Sequence, residues 1–197
     1  MERIRGFSGK RPGTTGFKRE YRGFLEQLDS YIQGRLEHEG KEIGCVPGCN
    51  ECCFHWVTDV FSFETLLIGN EVISMGHVEQ VRERLIQDLE VFRRISERSM
   101  NEDWILKEFH ARRRPCPLLD LYGRCMIYNL RPVTCRLYFC SAAASHAQSE
   151  YSGLSPFLLG IHDELDNALE ELHIRYGCFQ ESSLRASLLE YLNQRFY

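Results

Sequence analysis

Residues 45–53 read CVPGCNECC, four cysteines in nine positions, and Cys52 and Cys53 are adjacent. A second block, RRRPCPLLDLYGRCMIYNLRPVTCRLYFC at residues 112–140, adds Cys116, Cys125 and Cys135. Seven thiols in two loops far apart along the chain have to be brought together by whatever folds around them. The surrounding segments therefore decide the architecture.

Those segments have a helical period. From Phe17 to about Glu39 apolar residues recur at three- and four-residue spacing (Tyr21, Phe24, Leu25, Leu28, Tyr31, Ile32, Leu36), and Gly40 suits a helix stop. The stretch from Lys41 to Asp59, with Gly44, Pro47 and Gly48, has loop chemistry. Ser62 is placed to cap a helix over Phe63–Met75, ended by Gly76. Residues 77–110 predict a long helical arm through Val78, Val81, Leu85, Leu89, Phe92, Trp104, Ile105 and Phe109, broken near Asn101. In the second cysteine block Pro115, Pro117, Gly123 and Pro132 exclude a continuous helix, CPLLDLYGRCMIY suits a short hairpin about Tyr122–Gly123, and Pro132 suits the first turn of a short helix holding Cys135. Two more helices are expected beyond Ser155, one ending at Gly177 and one closing the chain. Strands do not alternate with helices as a parallel sheet requires. The expected fold is mainly α: a flexible basic tail over residues 1–16, then one domain over 17–197 with its motif core at 45–140 and C-terminal helices at 155–197. Its two cysteine loops converge on a metal site, with room for one short hairpin.

Composition narrows the chemistry. The 197 residues can bury a core without disulfide staples. With a net charge of −4, nothing indicates a nucleic-acid or membrane partner. No apolar segment suits a signal peptide or a membrane span, so a cytoplasmic protein with reduced thiols is expected. Nine cysteines cannot all pair within one chain. Cysteine clusters in that setting bind metal, and either zinc or an iron–sulfur centre accepts four thiolates.

Within the cluster, Cys49-Asn-Glu-Cys52 has the chelating Cys-x-x-Cys spacing, with Cys45 one short loop upstream. Adjacent side chains diverge, so Cys52 and Cys53 are expected to address two metals, two irons of one cluster, or one metal and the interior. Arg124, Arg131 and Arg136 flank the second block and could offset thiolate charge. Cys140 and Cys178 stand outside the pattern and read as small buried hydrophobes.

These motifs resemble the YkgJ-type cysteine-cluster proteins, described as zinc- or iron-chelating, whose pattern is CxxCxxCC, then CPxL, C-x-IY and RPxxCR. The resemblance covers about residues 45–136, with all four segments in order. It implies metal ligation by Cys45, Cys49, Cys52, Cys53, Cys116, Cys125 and Cys135. Three residues separate Cys45 from Cys49 where the family has two, so Cys45 fits the pattern least well. The same pattern occurs in flagellin lysine N-methylases, which makes an iron–sulfur-dependent enzyme the alternative to a metal-binding protein. No Gly-rich loop after a strand suggests a methyl-donor pocket. The spacing Cys45-x₃-Cys49-x₂-Cys52 also matches radical S-adenosylmethionine enzymes, but Glu51 stands where they carry an aromatic residue, and repeated βα units are missing.

Other residues have plainer readings. His55 could ligate a metal, though a histidine beside Trp56 is as readily packed or solvated. Arg112–Arg114 suit the C-terminal end of a helix dipole. Tyr128 and Arg131 could supply hydrogen bonds around the ligand Cys135, and are more readily expected to pack and anchor the turn before it. Glu51, Asp59 and Asp120 receive no catalytic task.

Overall fold

The computed structural model describes residues 15–38, 50–137 and 183–195. Residues 1–14 of the tail expected over 1–16, Gly40, Cys45, Cys49, Cys140, Cys178 and the helix expected up to Gly177 lie outside the described residues, while Thr15 and Gly16 are helical. Six α-helices and two 3-10 turns make up the described regular structure, and no strand forms among those residues. The mainly helical expectation holds. No helix there is long and apolar enough to cross a membrane.

The described residues fall into two compact units. In the first, helix α1 (Thr15–His38) begins two residues before the expected Phe17 start and ends within one of the expected stop. Phe17, Tyr21, Phe24, Leu25, Leu28 and Ile32 are buried at the three- and four-residue intervals that place them on one helix face. The rings of Phe17, Tyr21 and Phe24 follow one another along it, with centroids 6.2 and 5.9 Å apart. The same unit includes Cys135–Leu137 of the short helix α5 (Val133–Leu137), whose Arg136 is buried and ion-paired with Asp29 of α1.

The second unit comprises residues 50–134 and 183–195 of the described chain. Helix α2 spans Ser62–Ser74. Ser62 is its first residue, not its cap: Phe61 occupies the cap position, and the buried Glu64 carboxylate accepts the Phe61 N–H at 3.0 Å. The carboxylate one turn into the helix reaches back to the N–H of the cap residue itself, the side-chain half of a capping box. At the other end Gly76 adopts φ +72°, His77 N–H reaches the Val72 carbonyl and Gly76 N–H that of Ile73. This paired closure requires a left-handed residue, which glycine supplies without Cβ strain.

The long arm is two helices, α3 (Val78–Ser96) and α4 (Glu102–Ala111), broken where expected: the Asn101 side chain accepts Trp104 N–H at 2.8 Å and caps α4. Between them Trp56, Ile95, Ile105 and Phe109 form a buried cluster. Trp56 stacks on Phe92 at 3.8 Å and meets Phe109 edge-on at 4.9 Å. The closing helix, α6 (Leu184–Arg195), packs on α2 and α3 through Leu184, Leu188 and Leu192. Its fit against α2 depends on Gly69, where a Cβ would stand 2.2 Å from the Tyr191 ring. Trp56 follows the first cysteine loop directly in sequence, so the core of this unit is anchored next to the thiols.

Candidate metal centre

Cys52 and Cys53 lie on a 3-10 turn, Glu51–Phe54, closed by Cys53 N–H to the Asn50 carbonyl at 2.9 Å. The two thiols are close enough for Cys52 to act on the ionisation of Cys53. Both are half-buried, and neither is in a disulfide.

The second loop is held against this turn by backbone. Cys116 N–H donates to the Cys53 carbonyl at 2.7 Å, and Asn50 Nδ2 donates to the Gly123 carbonyl at 3.3 Å. Pro117 sits in a turn closed by Leu119 N–H to the Cys116 carbonyl at 3.0 Å, a position that suits its fixed φ. The expected hairpin forms around Tyr122–Gly123, reduced to a single bridge between Leu119 and Cys125. Asp120 organises its tip: one carboxylate oxygen accepts the N–H groups of Tyr122 and Arg124, both at 2.8 Å, and the other accepts Arg124 Nε at 2.9 Å. Gly123 is needed twice, for its φ of +74° and because a Cβ would come within 2.7 Å of Asn50 Nδ2. From α3, Arg84 donates to the carbonyls of Pro117 and Leu119 at 3.3 and 2.7 Å and fixes the outer arm.

This scaffold makes neighbours of Cys52, Cys53, Cys116 and Cys125. Hydrogen bonding to Cys52, then burial and the nearby thiols, pushes the Cys53 thiol well above its ordinary range. Burial likewise raises Cys116, and burial with Cys116 alongside pushes Cys125 up to about 12. Two groups act in the opposite sense at each of the latter sulfurs. Leu118 N–H donates to Cys116 and Ile127 N–H to Cys125, while the charge of Arg185 favours ionisation of Cys116 and that of Arg131 favours ionisation of Cys125. Without metal Cys53, Cys116 and Cys125 are therefore held toward the protonated thiol, and Cys116 and Cys125 already face donors for thiolate sulfur. Among the described residues no three His, Cys, Asp or Glu side chains already surround one point closely enough to hold an ion. The four thiols are neighbours, not a finished tetrahedron.

Cys135 lies half-buried on α5, immediately after Pro132-Val133-Thr134 as expected. Cys45 and Cys49 fall outside the described residues. The His55 ring stacks on His110 at 4.1 Å. Arg131 lies over the Tyr128 ring at 4.3 Å, consistent with an anchor for this turn. Arg124 is largely exposed and serves the hairpin through Asp120, while Arg136 is committed to Asp29. Asp59 has φ 56° and its carbonyl accepts the Thr134 hydroxyl at 2.9 Å, a role in loop geometry. The Arg112–Arg114 run divides its work beyond a helix-dipole role: Arg112 pairs with Glu108 on α4, Arg113 lies over Phe54 at 3.9 Å, and Arg114 pairs with Asp88.

Asp88 and its second partner, Arg185, were not singled out by the sequence reading. Both are almost fully buried, at 2% and 1% exposure. Arg185 Nε donates to Asp88 at 2.8 Å and Nη1 to the His55 carbonyl at 3.0 Å, and the guanidinium lies 5.1 Å from each of the Trp56 and Phe109 ring centres. Its Nη2 is buried with no partner among the described residues. An orphaned donor of this kind costs about 1–3 kcal/mol. Arg114, Asp88 and Arg185 sum to one positive charge beside Cys116, which a set of thiolates would offset. The signal for both residues was their register. Asp88 follows Val81 and Leu85 by seven and three positions, and Arg185 precedes Leu188 and Leu192 by three and seven, so each charge sits in an apolar stripe.

No curated protein and no solved structure matches the chain. The model of one family does, over residues 44–153, and its description is CxxCxxCC, "Putative zinc- or iron-chelating domain".

Proposed function

Because this chain belongs to the CxxCxxCC family, whose members' shared domain is described as zinc- or iron-chelating, we propose that it binds one of these metals through a bipartite thiolate site built from both cysteine loops. Cys52, Cys53, Cys116 and Cys125 are its described ligands, and Cys45, Cys49 and Cys135 complete the set that the family pattern implies. The observation that carries this reading is the convergence of four thiols on one scaffold, with backbone N–H groups already donating to the sulfurs of Cys116 and Cys125. The orphaned Nη2 of Arg185 and the net positive charge beside Cys116 fit an anionic metal–thiolate group better than neutral thiols. A bound metal would supply the cation that holds the sulfurs deprotonated. The chain's own contribution is to hold the two loops in register, through Cys116 N–H on Cys53 and Asn50 on Gly123, and to place N–H donors at the sulfurs.

Purification without oxygen followed by elemental analysis tests the reading. Stoichiometric zinc or iron is expected, and brown protein with acid-labile sulfide identifies an iron–sulfur centre. Cys49→Ser and Cys116→Ser should each lower bound metal. Unchanged content in both variants would overturn a site shared between the loops.

A further inference from the structure

We infer that Arg185 couples metal binding at the cysteine cluster to the docking of α6, acting as the positioning group and counter-charge for the metal-bound thiolates. The inference rests on the metal-site reading above. Arg185 lies in the first turn of α6, and its helix is tied to the segment that follows Cys53 at two points: Leu184 N–H donates to the Val57 carbonyl at 3.0 Å, and Arg185 Nη1 to that of His55 at 3.0 Å. Helix α6 is thereby joined to the chain two and four positions beyond Cys53.

The charge balance gives the coupling its sign. Arg185 and Arg114 share the single carboxylate of Asp88, and one positive charge remains. Arg185 is fully enclosed, so water cannot compensate it, whereas Arg114 retains 31% side-chain exposure. Thiolates gathered on a metal supply the missing negative charge and an acceptor for the buried Nη2 donor. Metal binding therefore favours the docked position of Arg185, and by reciprocity a docked Arg185 favours metal binding.

The experiment uses the full chain, with zinc as the probe. Zinc affinity is measured by competition with a chromophoric chelator for wild type, Arg185→Gln and Arg185→Lys, and amide hydrogen exchange over residues 184–195 is followed with and without zinc. Arg185→Gln should weaken zinc binding by about 10- to 100-fold, the range seen when groups that orient metal ligands are removed. Arg185→Lys, which retains the charge, should recover part of that loss. In wild type, zinc should slow exchange across α6. Equal affinities in wild type and Arg185→Gln, or α6 exchange indifferent to zinc, would overturn the coupling while leaving the metal site standing. Should Arg185→Gln fail to fold, the exchange response of wild type decides. A wild-type protein that takes up neither zinc nor iron would overturn the metal site itself, and this inference with it.

Discussion

Helix α3 carries two charged networks that differ in almost everything but the helix. On its outer face Glu90 accepts from Arg93 at 3.0 Å and from Arg94 at 2.7 Å, and Arg93 also pairs with Glu97. All four side chains are well exposed, and such pairs contribute little because water and salt screen them. On the inner face Asp88 holds Arg185, enclosed where water cannot help, together with the partly exposed Arg114. Taking those charges out of water is costly, and apolar side chains of similar volume would pack there at least as stably. The surface network needs no explanation beyond solubility and local helix pairing. The buried one is more expensive than packing alone requires, and it is tied to the segment that follows Cys53 through Arg185 Nη1 on the His55 carbonyl.

The largest expected effect breaks the buried network on one side only. Asp88→Asn leaves Arg185 enclosed without its counter-charge and should cost about 3–5 kcal/mol in denaturant unfolding of the metal-free protein. The double variant Asp88→Leu, Arg185→Met removes the charge from both sides, and Arg114 can turn to water from its partly exposed position. That protein should be as stable as wild type, or more so, and should bind zinc more weakly. If the double variant is instead as unstable as Asp88→Asn, the network is a stability device and the contrast with the surface pairs loses its meaning.

The same contrast explains what the sequence could disclose. Helix α1, the Gly76 stop, the Asn101 break and the hairpin at Tyr122–Gly123 were legible because each follows from local rules: apolar spacing, a left-handed residue, a side-chain cap, a turn. The cysteine loops were legible because thiols at chelating spacing have few other uses. Asp88 and Arg185 were not, since 97 residues separate them and a charged residue on an amphipathic helix is ordinarily taken for surface. The pairing of the two loops was hidden likewise, since it rests on Cys116 N–H reaching the Cys53 carbonyl of a 3-10 turn distant in sequence. The cap of α2 passed from Ser62 to Glu64 because that carboxylate is buried between Phe61 N–H and Val133 N–H, the latter 69 residues away.

Acid and alkali should separate the two regions by opposite signs. In the buried cluster Cys53, Cys116 and Cys125 are raised, Cys125 from 9.0 to about 12. A group whose folded value is raised contributes stability that is fully present below its unfolded value and is lost as pH climbs through the folded one. The metal-free protein should therefore melt at progressively lower temperature as pH rises from about 9 toward 12. Zinc-loaded protein should lack this slope, because its ligand thiols are already ionised. A metal-free melting temperature that stays level over that window would place the thiols in water and remove the buried half of the comparison.

The smallest effect belongs to the surface network. Hydrogen bonds from Arg93 and Arg94 lower the Glu90 carboxyl from 4.5 to about 2. For a lowered group the sign reverses: its contribution is present above the unfolded value and is lost as pH falls through the folded one, here between about 4.5 and 2. Glu90 is open to solvent, so the shift reflects local pairing that the unfolded chain and salt largely replace. Glu90→Gln should leave the melting temperature at pH 7 unchanged within the error of a thermal scan, with or without 0.5 M salt, while Asp88→Asn on the same helix shifts it by many degrees. A Glu90 variant that destabilises as Asp88→Asn does would mean that exposure does not divide the two networks, and the buried charge beside the cysteines would need no special purpose.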